Sequence, residues 1–213
     1  NSEALGFYPG PLLILKVLLH TIYQDMKYLG KYWLVVLFSL AAWNINYAQE
    51  KELELPKEKQ TTLGLYVTAK EAYEKWKAAP DKIKVLDVRT PDEYMNIGHA
   101  AIAWNIPAFL QTYNWDESKQ DFSIKPNPDF TIHVKEVFKP GDTILVTCRS
   151  GGRSAWAVNQ LAAAGFKNVY NITDGMEGDT VDDPQSVFVD KRMKNGWKNS
   201  GLPWTYKLDP NLM

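Results

Sequence analysis

The amino-acid sequence predicts an α/β domain with a mainly parallel central sheet flanked by helices. Two observations carry this reading. Short β-branched runs alternate with segments of helical spacing, which feeds successive strands into one sheet through helical crossovers. The composition is also that of a globular protein, 45% hydrophobic and 23% charged over 213 residues.

The elements follow in chain order. Thr68-Ala-Lys-Glu71 is a capping-box pattern, and residues 69–78 then place Ala72, Tyr73 and Trp76 on one helix face. Pro80-Asp81 ends that helix, and residues 82–88 form a strand whose end presents Asp87 and Arg89. Thr90-Pro-Asp-Glu93 opens a second helix with proline at its first position. Residues 103–106 read as a strand closed by Pro107, and residues 113–128, with Pro126 and Pro128, as a long loop. Residues 129–138 have helical spacing with Phe130, Val134 and Val137 inward. After the Pro140-Gly141-Asp142 turn, Thr143-Ile-Leu-Val-Thr147 is the most strand-like run of the chain. A helix through Ala155, Ala157, Val158, Leu161 and Ala162 stops at Gly165, and residues 168–172 form another strand.

Ahead of this domain lie two apolar stretches, residues 11–15 running on to Leu19, and residues 32–43. The second is 12 residues long, short of the ~20 that span a hydrocarbon core. Lys27 and Lys31 precede it and Ala48 closes it, the pattern of a secretory signal peptide. The expected organisation is therefore an upstream segment over 1–25, a signal peptide over 26–48 read from Met26, and a solvated linker over 49–63. The domain proper occupies 64–178, and an aromatic extension over 179–213 packs on it as irregular core cover. The chain is expected to be exported to the periplasm. The alternative is a membrane anchor facing the periplasm, with this N-terminal segment as the only membrane contact. The first 48 residues carry three lysines and two acids, which leaves the remaining 165 with a net charge of −2.

Charge excludes one class of partner. Lysine and arginine number 24 against 25 acids, with no basic run longer than two, so no nucleic-acid partner is expected. The single cysteine, Cys148, rules out an intrachain disulfide framework and a cysteine-rich zinc site. The three histidines, His20, His99 and His133, are too scattered for a catalytic zinc cluster. No metal and no cofactor are expected.

Cys148 follows directly on a buried-type strand, and Ser154 opens a helix. Between them Ser150, Gly151 and Gly152 let the chain curl so that successive amide N–H groups converge on one point. That cup sits at a helix N-terminus, where anions are favoured. Arg149 and Arg153 add two permanent positive charges. Such surroundings favour a thiolate nucleophile and, equally, an oxyanion carrying transferable sulfur. Ligands of parallel sheets sit beyond the carboxyl ends of strands, and Cys148 lies at such an end.

The chain resembles the rhodanese family of sulfurtransferases from about Val67 to Gly178. The residues that carry the resemblance are Leu86-Asp-Val-Arg-Thr-Pro-Asp-Glu-Tyr94, Gly98-His99 leading to Asn105-Ile-Pro107, the loop from Cys148 to Ser154, and Gly175-Met-Glu-Gly178. One departure is Ile102, where the family pattern has glycine, and another is residues 113–128, longer than a minimal domain needs and expected to shape the site's rim. The resemblance implies a rhodanese-like three-layer fold. It also implies that Cys148 takes sulfane sulfur from a small sulfur-containing anion such as thiosulfate, becomes a persulfide, and passes the sulfur to a thiol, protein or other thiophilic acceptor. Cys148 to Arg153 spans six residues, Cys-x4-Arg, the length the family associates with sulfur rather than phosphate or arsenate.

By the same resemblance the amides of Arg149, Ser150, Gly151, Gly152, Arg153 and Ser154 hold the anionic sulfur, and Arg149 contacts the donor. Arg153 either contacts substrate or braces the loop through a carboxylate. Asp87 and Arg89 are a bracing pair at the strand end near the loop, with Arg89 also reaching toward substrate; the blander reading, more for Asp87 than for Arg89, is a surface salt bridge. His99 is expected to be a structural hydrogen-bonder and Glu93 a helix-start residue. The competing functional readings are a persulfide carrier serving one protein partner and an inactive interaction module.

Overall fold

The computed structural model describes residues 55–213 and, upstream of them, Lys16, His20 and Tyr23, which are helical and exposed. The expected signal peptide and upstream segment therefore lie outside the described residues, these three apart. Among the described residues no helix is long and apolar enough to cross a membrane.

Residues 56–213 form one unit. Its elements run β1 (Tyr66–Val67), α1 (Ala69–Ala78), β2 (Ile83–Asp87), α2 (Pro91–Ile97), β3 (His99–Ala100) and β4 (Ala103–Asn105), then β5 (Phe109–Asp116), β6 (Asp121–Pro126), α3 (Phe130–Val137), β7 (Thr143–Thr147), α4 (Gly152–Ala163), β8 (Asn168–Ile172) and β9 (Trp204–Thr205). Five strands make the central sheet in the order β1-β8-β7-β2-β4, every pair parallel. Strands β3 and β9 pair antiparallel, as do β5 and β6.

Side-chain alternation along each strand divides the core into two layers. Leu86, Ile144, Val146 and Val169 face Phe130 and Val134 of α3 and Ala157, Val158 and Leu161 of α4. Val85, Leu145 and Ile172 face Ala69 and Ala72 of α1, Tyr94 of α2, and Met176 and Trp197. Helices thus cover both faces, giving the α/β three-layer arrangement.

Local signals set the helix starts. Thr68 and Glu71 form a complete capping box, and so do Thr90 and Glu93 with Pro91 at the first turn. The sheet order then fixes where the loops part. The chain leaves β2 through α2 on one face and reaches β4 on one side, whereas it leaves β7 through α4 on the other face and reaches β8 on the opposite side. Right-handed crossovers in opposite directions must use opposite faces. The loops after β2 and β7 therefore diverge and leave a crevice at the carboxyl end of the sheet.

The fold corrects four expectations. Residues 113–128 are mostly not loop: β5 and β6 form a hairpin whose ladder is irregular between Gln111 and Trp115. Val137 points outward, because α3 ends at that residue and only Phe130 and Val134 reach the core. The second half of the expected linker is docked. Its Lys57–Lys59 turn pairs Lys59 with Asp179 at 2.7 Å, Asn171 donates to the Lys59 carbonyl, and Leu63 packs on the α4-side core. The extension beyond residue 178 does more than cover the core, since Trp197 is fully buried within it and β9 adds a strand.

Candidate active site

Cys148 is the first residue after β7, buried to 1% exposure, with its sulfur on the α4 side of the sheet. The Gly151 N–H donates to Cys148 Sγ at 3.2 Å. Ser154 Oγ stands 3.3 Å from the sulfur, 2.6 Å from Asn171 Oδ1 and 3.1 Å from the Gly151 carbonyl. One hydroxyl hydrogen serves one acceptor at a time, so Ser154 links the sulfur to the β8 side chain of Asn171. Asn171 Nδ2 in turn donates to the carbonyls of Gly151 and Lys59. In register Asn171 lies beside Val146, which places its amide on the α4 face, under the loop.

The loop geometry depends on glycine at two positions. Gly151 has φ +100 and backs onto the Thr173 carbonyl so closely that a Cβ would overlap it. Gly175 has φ +62, and a Cβ there would lie 2.6 Å from the Cys148 carbonyl. That approach lets residues 175–178 strap the loop through main-chain bonds alone. Met176 N–H donates to Cys148 O at 2.7 Å, and the Glu177 and Gly178 N–H groups both donate to Arg149 O, at 2.9 and 3.3 Å. Because the grip is on backbone carbonyls, the loop side chains remain available to the cavity.

A cavity of about 430 Å³ opens over the sulfur, within the range of small-molecule sites. Cys148, Arg149, Ser150, Gly152 and Arg153 line it from the loop, and Glu93 from α2. The opposite wall is the β5–β6 hairpin, with Gln111, Lys119, Phe122, Ser123 and Ile124 facing in. Phe109 anchors that hairpin on Trp156 of α4, the rings 4.8 Å apart. Residues 113–128 thus shape the site's rim as their length predicts, but as strands of a hairpin rather than as loop.

Of the expected site residues, Gly151 and Ser154 support the sulfur from behind rather than lining the cavity. Ser154 lies within α4, which begins at Gly152. Gly151 supplies the amide bonded to Sγ among the described residues. Arg153 braces the site: its guanidinium makes a two-pronged contact with Glu93 at 2.6 and 2.7 Å, tying the start of α4 to the start of α2. Glu93 thus serves both its capping box and Arg153. Arg149 is exposed at the cavity and carries no carboxylate partner among the described residues.

Arg89 and Asp87 do form a bracing pair, but Arg89 does not reach toward substrate and the pair is not at the surface. Arg89 does not line the cavity; it is fully buried, with Nε and Nη2 on the Asp87 carboxylate and Nη2 also on the Gly98 carbonyl. Asp87, also fully buried, is no surface partner. Burial works against the Arg89 charge and the Asp87 carboxylate more than offsets it, so the guanidinium stays firmly protonated. Asn105 donates to the carbonyls of Asp87 and Arg89 and fixes this turn. Arg89 Nη1 and Glu177 Oε1 face each other 3.7 Å apart, each without a hydrogen-bond partner. The arrangement makes Arg89 a strut between β2 and the strap. His99 is buried, bonded through Nδ1 to the Tyr94 carbonyl and stacked on the Tyr94 ring.

Burial raises the Glu93 carboxyl, but the Arg153 hydrogen bonds and charge outweigh it and hold the group below the ordinary 4.5. The sign of the pH effect follows. Stabilisation by the pair is fully present above 4.5 and is lost as pH falls through the lower folded value. Glu93→Gln should cost about 2 kcal/mol at neutral pH. That difference from the parent protein should shrink as the pH is taken below 4.5, as read by denaturant unfolding across pH. A difference that stays constant with pH would mean the pair contributes nothing through ionisation.

Comparison with known proteins places these features in context. A family model described as the rhodanese-like domain matches residues 68–182. The chain is similar to thiosulfate sulfurtransferase 16, chloroplastic, of Arabidopsis thaliana, 39% identical over 92 residues, covering 43% of this chain and 69% of that one. Thiosulfate sulfurtransferase 18 of the same plant is 42% identical over 92 residues, covering 42% of this chain and 61% of that one. Among solved structures, Rv0390 from M. tuberculosis aligns with a TM-score of 0.51 at 24% identity, covering 66% of this chain and 96% of that one, a likeness of fold.

Proposed function

The chain belongs to the rhodanese-like domain family, and from that premise we propose that it is a sulfurtransferase working through a persulfide on Cys148. The observation that carries the reading is the sulfur itself, held at the floor of the cavity by the Gly151 N–H, with Arg149 exposed beside it. The similarity to two plant thiosulfate sulfurtransferases supports thiosulfate as donor.

The step balances with the residues present. The Cys148 thiolate attacks the outer sulfur of thiosulfate and an S–S bond forms. The bond between the outer and sulfonate sulfurs breaks, and sulfite leaves with the electron pair. The dianion's second charge is met by Arg149 and the N-terminal amides of α4. In the second half the outer persulfide sulfur is attacked by cyanide or a thiolate, which returns Cys148 as thiolate. Cys148 is the only cysteine of the chain, so the acceptor is external.

A second reading keeps the persulfide and changes the acceptor. Tyr113, Trp115 and Phe122 of the hairpin are exposed, Phe122 lines the cavity and Trp115 packs edge-on to Phe122, which favours a carrier unloading onto a protein partner. Export with cleavage after Ala48 belongs to the same proposal, and N-terminal sequencing of the secreted protein should then begin at Gln49.

Thiosulfate and cyanide given to the 213-residue chain decide between the readings. Repeated thiocyanate release supports the enzyme. One sulfur atom added to Cys148, seen by mass, without turnover supports the carrier. No added sulfur from thiosulfate or from a low-molecular-weight persulfide overturns both.

A further inference from the structure

The chain contains four arginines, Arg89, Arg149, Arg153 and Arg192, and all four gather at the carboxyl end of the sheet. Two are matched by carboxylates, Arg89 by Asp87 at 2.7 Å and Arg153 by Glu93 at 2.6 Å. Arg149 and Arg192 have no ion pair among the described residues.

Arg192 reaches this place by a detour. The match to the rhodanese-like family ends at residue 182. Residues 179–194 then run out and double back before the core residue Trp197. The return is closed by main-chain bonds, Val181 N–H to Lys191 O and Asp190 N–H to Val181 O, and by a bridge between Thr180 and Arg192. Asn195 pins its base, accepting from the Asp179 N–H and donating to the Asp179 carboxylate.

The detour delivers the Arg192 guanidinium to the strap. Arg192 Nη1 donates to Gly178 O at 2.7 Å, and the N–H of that same Gly178 donates to Arg149 O. Two hydrogen bonds through one residue therefore separate the Arg192 guanidinium from the Arg149 backbone. Burial and the Arg149 charge both disfavour the Arg192 cation, while Glu177, Asp179 and the Cys148 sulfur favour it. The two like charges, joined through Gly178, oppose each other unless an anion lies between them, and a doubly charged anion relieves that repulsion most.

We propose that Arg192, held on the strap outside the lining of the cavity, and Arg149, which lines it, together form an anion subsite at the edge of the Cys148 loop that takes the sulfonate end of a doubly charged sulfur donor, which makes Arg192 a specificity-determining residue. This rests on the sulfur-transfer reading above. The donor's outer sulfur then points at Sγ, and sulfite departs toward the two guanidinium groups. A residue outside the family match thereby selects the donor, while the Cys148 loop performs the transfer.

The experiment compares two donors, thiosulfate as dianion and an arenethiosulfonate as monoanion, on the full chain and on Arg192→Gln and Arg192→Lys. Glutamine should raise KM for thiosulfate about tenfold with kcat changed little, and raise KM for the arenethiosulfonate clearly less. Lysine should recover part of the thiosulfate KM. The rise of thiosulfate KM with ionic strength should flatten in Arg192→Gln. Equal losses for both donors, or a fall in kcat and thermal stability with no change in the KM ratio, would show that Arg192 only supports Gly178, and the inference is overturned. Failure of the parent chain to take sulfur from either donor would instead overturn the sulfur-transfer reading beneath it.

Discussion

Replacing Cys148 with serine abolishes sulfur uptake while the fold survives. The hydroxyl fits the space of the thiol and can still accept from the Gly151 N–H, and the strap grips only the Cys148 carbonyl, which serine retains. The unfolding midpoint should therefore move little. Turnover with thiosulfate and cyanide should drop by on the order of 10⁴ or more, since no other thiol is present in the 213 residues. Intact-mass measurement should find the parent heavier by one sulfur atom after thiosulfate and the variant unchanged. A variant that still gained sulfur would refute Cys148 as the carrier.

Trp197→Ala should produce the largest loss of stability. The indole is fully buried against the α1 and α2 side of the sheet, edge-on to Tyr73 at 5.8 Å, with Nε1 donating to the Pro203 carbonyl at 2.9 Å. Its backbone N–H donates to Gly175 O and its neighbour Lys198 donates to Met176 O. Truncating a buried tryptophan costs about 3–5 kcal/mol, against a total of roughly 5–15 for a domain. Denaturant unfolding should show the midpoint shifting by that amount. Activity should suffer too, because the strap over Cys148 is held from behind by these bonds. A loss under about 1 kcal/mol would mean residues 179–213 are dispensable cover.

What was legible in the sequence was local. The two capping boxes name their own partners three residues apart, and the β-branched runs 143–147 and 168–172 match β7 and β8 to the residue. The Cys148 loop was legible for the same reason, since strand, glycines and helix follow in order. The hairpin was not. Its strands mix Gln111, Thr112, Asn114, Ser123 and Lys125 among the aromatics, so apolar alternation is weak, and its turn uses Gln120 at φ +49 where glycine or asparagine would have signalled it. The burial of Arg89 was hidden because the strand end alone cannot tell a surface pair from a core one; the Gly98 carbonyl and Asn105 decide it. The link from Cys148 through Ser154 to Asn171 crosses the sheet, and no local pattern encodes it. Arg192 reaches the strap only through the doubling back of residues 179–194, which no local pattern encodes.

The strap has a consequence for how the protein comes into being. Cys148 and its glycines leave the ribosome well before Gly196, Trp197 and Lys198, yet the bonds that hold residues 175 and 176 in place come from those later residues. Strand β9 arrives later still and pairs with β3 from the first half of the chain. A nascent chain stalled before residue 197 thus carries its nucleophile without the bracing that shapes the loop around it. The loop around Cys148 therefore takes its final shape only after residues 196–205 have been made and have docked on the rest of the unit.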